Sequence, residues 1–262
     1  MRPTRVLFAA ERQELLLRKL TDLGRIDAAA LAAEVGVSNE SIRKDLALLE
    51  ERGLLRRVHG GAILPHELRA EPEISARTRF AAEKQAIAVA ALEFVPPNGS
   101  ILLDSGSTTA RLAALLPVDS SLFVCTNSLP IAAALTELSA VTVQSLGGTV
   151  RRQSRAGVGP LTVHALAAIN VDVAFLGANA VSLTRGLSTP DEQEGMTKKA
   201  MFGAARRRIL LADHSKFGRE SLFCYADLAD VDMLVTDAGI SDDAMAAVSA
   251  AGVDITLARK AA

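Results

Sequence analysis

Asp104, Ser105, Gly106, Ser107, Thr108 and Thr109 stand in a row: a carboxylate, four hydroxyls and one glycine. The short apolar run Ile101-Leu102-Leu103 precedes them, and Leu112, Leu115 and Leu116 follow at helical spacing. The spacing predicts strand, loop and helix in succession. A helix entered through such a loop offers free N–H groups at its positive end, so Gly106 and the hydroxyls of 107–109 can hold a phosphate. Asp104 falls at the strand's end, where open α/β sheets place ligands. The competing reading is an ordinary turn in which Ser105 to Thr109 only cap the helix. The run lacks the lysine of the longer Walker pattern.

A second group of chemistry-bearing residues lies near the N-terminus. Leu15, Leu16, Leu20 and Leu23 mark one face of a helix over 11–23, closed by Gly24. Asp27 suits the cap of a second helix over 28–35, Gly36-Val37 a tight turn, and Ser38 the cap of a third helix over 39–52 that Gly53 stops. Ile42, Leu46 and Leu49 point inward on this third helix, leaving Asn39, Glu40, Arg43 and Lys44 on its outward leading side. A major-groove helix meets base edges and phosphates with such residues, and Ser38 and Ser41 can add hydrogen bonds. Residues 54–58 and 62–64 read as two short strands about His59-Gly60-Gly61, a wing whose Arg56, Arg57 and His59 face phosphates or a minor groove. The alternative is a three-helix bundle that docks on another protein, with Arg43 and Lys44 in surface ion pairs.

The rest of the chain must position these groups. With 262 residues, 49% of them hydrophobic and 23% charged, the sequence describes a globular protein with a small and a large domain. The net charge of −1 divides into +2 over residues 1–69 and −3 over the remainder. No apolar run approaches a membrane span, and the first residues lack a signal-peptide core, so a cytoplasmic location is expected. With no Trp and 3% aromatic residues, stacking on single-stranded bases is not the expected mode of recognition. Cys125 and Cys224 lie in apolar runs and read as buried reduced thiols, and the four histidines show no metal-ligand spacing.

Residues 8–64 therefore read as a winged helix-turn-helix, 65–78 as a linker rich in proline and charge, and 79–262 as an α/β domain that opens with a helix over 79–94. Strands are expected at 122–126, 141–146, 171–176, 208–212, 233–236 and 253–257, alternating with helices as in a mainly parallel sheet. Polar residues at their ends, Asn127, Gly148 with Arg151, and Asp213 with Lys216, are candidate ligand groups. Thr189-Pro190-Asp191-Glu192 has the form of a capping box with Pro at the first helical position. Glu194 and Lys198, four apart, read as a surface ion pair or as two groups projecting into the ligand site; spacing favours the surface pair.

Residues 11–13, 37–46 and 53–62 together resemble the DeoR family of bacterial transcriptional repressors, in which the third helix commonly carries Thr-Ile-Arg-Arg-Asp-Leu; here Ser41 and Lys44 depart from it. Asp104 to Thr109, Thr126-Asn127, Leu146-Gly147-Gly148, Gly186 to Thr189, Glu194, Lys198 and Asp213 with Ser215 to Gly218 resemble that family's sugar-phosphate-sensing domain. Gly195, Asn179 and His214 stand where the family more often has Ala, Asp and Ser. The resemblance implies a Rossmann-like fold akin to ribose-5-phosphate isomerase and CoA-transferase-like enzymes. It also implies a homodimer or homotetramer that binds double-stranded operator DNA and takes a phosphorylated sugar as effector, without a metal or other cofactor. The segments 91–97, 129–132 and 186–191 look most like actinobacterial repressors of fructose or phosphotransferase-system sugar genes, which points to fructose 1-phosphate or a related hexose phosphate. The rival expectation is a sugar-phosphate isomerase using Asp104, Asp213, Glu194 or Lys198 as acid–base groups.

Overall fold

The computed structural model describes residues 9–259 apart from 24, 53, 64–70 and 72. Gly24, Gly53 and Leu64 thus lie outside the described residues. The chain divides into two compact units, Met1–Ala70 with Gly218–Glu220, and Glu71–Phe217 with Ser221–Ala262.

The small unit is built from α1 (Ala9–Leu23), β1 (Arg25–Asp27), α2 (Ala28–Val35), α3 (Asn39–Glu51), β2 (Arg56–Val58) and β3 (Gly61–Ile63). Its core takes Leu16 and Leu20 from α1, Leu31 and Val35 from α2, and Ile42, Leu46 and Leu49 from α3, the residues whose helical spacing marks them in the sequence. Local chemistry sets the boundaries. Asp27 caps α2 by accepting from the Ala30 N–H at 2.7 Å, and Ser38 caps α3 by accepting from the Ser41 N–H at 3.2 Å. Gly36 turns the chain between them at φ +72°, a left-handed conformation that glycine adopts without a Cβ clash. Asp45, buried on α3, takes a hydrogen bond from Gln13 at 3.0 Å and an ion pair from Arg12, tying α1 to α3.

The strand β1 has no sequence signal of its own. It pairs antiparallel with β3, giving a three-stranded sheet in the order β1-β3-β2. Only three residues long, it is a strand because β3 supplies its partner.

The large unit has a seven-stranded sheet whose neighbours are all parallel. Its strands are β4 (Asn98–Leu103), β5 (Ser121–Thr126), β6 (Thr142–Ser145), β9 (Val171–Gly177), β12 (Ala205–Leu211), β14 (Met233–Asp237) and β15 (Asp254–Ala258), ordered β6-β5-β4-β9-β12-β14-β15. Between β6 and β9 runs the hairpin β7 (Thr149–Arg151) and β8 (Ala156–Val158). A smaller antiparallel sheet joins β10 (Ala180–Ser182), β11 (Gly186–Thr189) and β13 (Phe223–Ala226). The helices are α4 (Ala81–Ala91), α5 (Ser107–Ala113), α6 (Leu129–Leu135), α7 (Pro160–Ala167), α8 (Glu192–Gly203) and α9 (Asp242–Ala250).

Both faces of the main sheet are covered, so its strands read as continuous apolar runs. Ile101 and Leu103 of β4 pack with Phe175, Leu112 and Ile87 on one face, while Leu102 packs with Leu176, Met201 and Leu234 on the other. The chain lays down β4, β5 and β6 outward in one direction and then returns to place β9 on the other side of β4. This reversal opens a crevice at the carboxyl ends of β4 and β9, the switch point of a doubly wound sheet.

Several expectations change on folding. The helix expected over 79–94 is α4 followed by a 3-10 turn at Leu92–Phe94. Thr189 is the last residue of β11 and does not cap; Asp191 caps α8 by accepting from the Glu194 N–H at 2.9 Å, and Pro190 precedes the cap. Cys125 is buried as expected, whereas Cys224 is exposed on β13. Residues 73–78 of the expected linker belong to the large unit, as does Glu71. Among the described residues no helix is long and apolar enough to cross a membrane.

A Cβ added at Gly61 would fall 1.7 Å from the Ile26 carbonyl oxygen, so β1 and β3 approach closely only because that position carries none. Gly61→Ala is expected to destabilise the small unit by about 1–3 kcal/mol. Urea unfolding followed by circular dichroism should show that unit's transition moved to lower denaturant while the large unit's transition stays in place.

Candidate functional site

On the small unit, α3 exposes Asn39, Glu40, Arg43 and Lys44 to solvent, with Ser41 half-buried. Ser38 is exposed too, but its hydroxyl caps the helix and sits 3.0 Å from the Ser41 hydroxyl, so both are partly committed. Glu40 and Lys44 are 3.9 Å apart, an exposed pair that a phosphate can replace at little cost. In the wing, His59 is exposed in the turn and Arg56 half-buried. Arg57 differs from expectation. Its Nε donates to Glu50 at 2.6 Å and its backbone N–H to the other carboxylate oxygen at 2.8 Å, so it holds β2 against α3.

On the large unit, a cleft opens at the carboxyl ends of β4, β9 and β12. It is lined by Ser105 to Thr109 after β4, by Gly177, Ala178 and Asn179 at the end of β9, and by Leu211, Asp213 and Lys216 at the end of β12. Arg77, Lys84 of α4 and Lys198 of α8 complete it.

Asp104 fastens the cleft floor. Buried at 1% exposure, it accepts from the Gly177 N–H at 2.9 Å and forms an ion pair with Lys198, which is 3% exposed. Lys198 also donates to the Gly177 carbonyl at 3.0 Å. Burial alone would push the Lys198 ammonium down, yet the adjacent Asp104 outweighs it and holds Lys198 well above its usual range. Lys198 is therefore a permanent cation. Tyr225, whose hydroxyl donates to the same carbonyl at 3.3 Å, is pushed up by burial and stays a neutral phenol.

The loop that follows is held from behind. Asn127 accepts from the Ser105 N–H at 3.2 Å and donates to the Gly157 carbonyl at 3.0 Å, and Thr109 donates to the Asp104 carbonyl at 2.7 Å. Thr109 is thus part of the loop's frame. Gly106 is the cap of α5 and supplies no side-chain acceptor, which leaves the N–H groups of Ser107 and Thr108 facing no capping oxygen. Across the cleft Lys84, 5% exposed, donates to the carbonyls of Arg79 at 2.7 Å and Arg77 at 3.3 Å. Burial lowers the Lys84 ammonium, and Asp213 counteracts this. The Oδ2 of Asp213, the Oδ1 of Asp104 and the Ser105 hydroxyl are buried without a hydrogen-bond partner, the state of polar groups built to meet a ligand.

Four predicted ligand residues lie away from the cleft. Asn127 serves the loop from behind. Gly148, at φ +99°, is a packing glycine: a Cβ there would lie 2.0 Å from the Thr162 hydroxyl and 2.7 Å from the Val158 carbonyl. Arg151 and Glu194 belong to a buried ionic cluster, in which Arg151 lies 2.5 Å from Glu71, 3.0 Å from Glu194 and 3.2 Å from Asp191. The surface pair expected between Glu194 and Lys198 is overturned, because α8 packs that face inward: both residues are buried, and they pair with Arg151 and Asp104 respectively. Burial pushes the Glu194 carboxyl up to about 7 against the pull of Lys198 and Arg151. Conversely, Arg77 and Lys84 reach the cleft without having been singled out as ligand groups, and so does Asn179, one of the polar strand-end residues. Lys84 carried a signal, since it lies one turn from Ile87 on the apolar side of its helix. Arg77 carried none.

Two measurements follow from this electrostatic frame. Glu194 has a folded pKa of about 7 against an ordinary value of 4.5, so its protonation stabilises the native state fully below about pH 4.5 and ceases to do so as pH rises through 7. Glu194→Gln should flatten that decline in unfolding free energy by about 1–3 kcal/mol; an unchanged slope in urea melts at several pH values would show the carboxylate ionised throughout. Lys198→Met strands Asp104 as a buried unpaired charge and should cost about 3–5 kcal/mol, much of it recovered in the double variant with Asp104→Asn.

Comparison with known proteins finds a match for each of the two domains. The DeoR-like helix-turn-helix domain matches residues 12–67, and the DeoR C terminal sensor domain matches residues 79–238. The chain is 36% identical over 256 residues to a putative aga operon transcriptional repressor of Escherichia coli O157:H7, covering 97% of this chain and 95% of that one. It is 34% identical over 250 residues to the HTH-type transcriptional regulator GlpR of Haloferax volcanii, covering 95% and 98%. Among solved structures, ribose 5 phosphate isomerase A from Neisseria gonorrhoeae is similar at 21% identity and a TM-score of 0.38, over 51% of this chain and 52% of that one. With a DNA-reading unit and a sensor unit matched in one chain, and whole-length relatives that are transcriptional regulators, this protein belongs to the DeoR family.

Proposed function

We propose that the protein is a cytoplasmic repressor of genes for sugar catabolism or transport, released from its operator when a phosphorylated sugar, fructose 1-phosphate or a related hexose phosphate, occupies the cleft. The observation that carries this reading is the cleft itself. The first turn of α5, which has no side-chain cap, lines it together with Lys84 and Lys216, a combination suited to a phosphate. Asp213 Oδ2 and the Ser105 hydroxyl stand ready for sugar hydroxyls. Lys198 is held protonated by Asp104, which argues against an isomerase in which either group moves a proton.

On the DNA side, Asn39, Arg43 and Lys44 read base edges and phosphates, and one α3 covers one half-site. A homodimer or homotetramer supplies the paired helices that a two-fold operator needs. For the sugar phosphate to act as inducer it must bind the DNA-incompetent state more tightly, with a coupling of typically ~1–3 kcal/mol.

The experiment pairs two variants with two assays at fixed salt, since phosphate contacts make DNA affinity steeply salt-dependent. Arg43→Ala is expected to weaken binding to DNA from the protein's own promoter region by about 1–3 kcal/mol while leaving sugar-phosphate titrations unchanged. Thr108→Ala is expected to weaken the sugar phosphate about tenfold and leave DNA affinity intact. Anisotropy and isothermal titration with fructose 1-phosphate and fructose 1,6-bisphosphate read both; equal damage to both activities in each variant would overturn the assignment.

A further inference from the structure

Glu71 is the first residue of the large unit, immediately after the point where the chain leaves the small one. Its carboxylate is buried, 2% exposed, and its partners are all charged or polar: Arg77 and Asn179, both on the cleft wall, and Arg151 at 2.5 Å. Asn179 donates to it at 3.0 Å. The segment is held at two further points, where the Ile74 N–H donates to the Gln153 carbonyl at 2.7 Å and where Glu73 lies 3.5 Å from Arg152. Glu71 and residues 73–77 thus form a strap on the β7–β8 hairpin, anchored at one end by a carboxylate that shares Arg77 and Asn179 with the ligand cleft.

Three carboxyl groups, Glu71, Asp191 and Glu194, share two guanidinium groups, Arg77 and Arg151. Burial is the main cause that raises Glu194, and the nearby Glu71 carboxylate adds to it against the pull of Lys198. A phosphate dianion entering the cleft adds negative charge on the far side of Arg77 and Asn179. It competes with Glu71 for the Arg77 guanidinium and for the Asn179 amide.

We infer that the Glu71 carboxylate is the lever of effector response: docked, it holds the strap in the DNA-competent state, and an anion in the cleft displaces it. This rests on the reading of the cleft as a phosphate site. Linkage then fixes the signs, because whatever weakens the docked strap must tighten the anion and loosen the DNA.

Glu71→Gln in the full-length protein keeps the side chain's shape and removes its charge. Without ligand, it is expected to bind promoter DNA about fivefold more weakly than the wild type, and to bind fructose 1-phosphate and inorganic phosphate about fivefold more tightly. Hydrogen exchange of the wild type, which needs no variant, is expected to show residues 73–78 exchanging faster when phosphate saturates the cleft. A folded Glu71→Gln protein with unchanged or lower anion affinity, or unchanged DNA affinity, overturns the inference. So does wild-type phosphate binding with unaltered exchange at Ile74, which leaves the sensing assignment standing. Absence of any binding heat in the wild type with sugar phosphates or inorganic phosphate would instead sink the sensing assignment, and this inference with it.

Discussion

The buried ion pair between Asp104 and Lys198 is the constraint on which the large unit's site depends. It joins three separate elements: Asp104 follows β4, Lys198 comes from α8, and both bond to Gly177 at the end of β9. Taking two charges out of water is costly, and such a pair is weak evidence for stability on its own account. Its effect here is geometric. It draws the ends of two neighbouring parallel strands and one covering helix together at the place where the sheet's strand order reverses, and the loop after Asp104 inherits its position from that junction.

Around this fixed point the groups divide by task. Asn127, Thr109 and Gly148 frame the loop and the hairpin, spending their polar groups or their lack of a Cβ on backbone positions. The cleft surface carries a short helix without a side-chain cap, the side chains of Lys84 and Lys216, and buried oxygens of Asp213 and Ser105 with no hydrogen-bond partner. A doubly wound scaffold thus positions the cleft through frame residues that satisfy one another. Behind the wall, a second and acid-rich ionic cluster reaches from α8 to Glu71, the first residue of the large unit.

Much was readable in the order of residues. The caps Asp27 and Ser38, the Gly36 turn, the apolar stripes of α1 to α3 and the strand–loop–helix at Asp104 are local, and each depends on interactions spanning a few positions. The family resemblance rested on the same local motifs, and the two matched domains bear it out. Where the reading went astray, the deciding neighbour was far along the chain. Thr189 resembled a cap until β11 paired with β13, leaving Asp191 to open α8.

Spacing and turn chemistry are properties of neighbouring residues, so the helix-turn-helix, the strand–loop–helix at Asp104 and the strands of the main parallel sheet are legible in the residue order, whereas β1 is not. Which charges meet is settled by the fold. Glu194 and Lys198, four apart on one helix, carry the spacing of a solvated pair, and nothing local says that α8 turns that face inward. Once it does, Lys198 meets Asp104, 94 residues away, and Glu194 meets Arg151 in the hairpin. Arg77 and Lys84 arrive at the cleft for the same reason, since a parallel sheet brings together segments that are remote in sequence, and the pairing of buried charges is settled by whichever opposite charge the fold delivers.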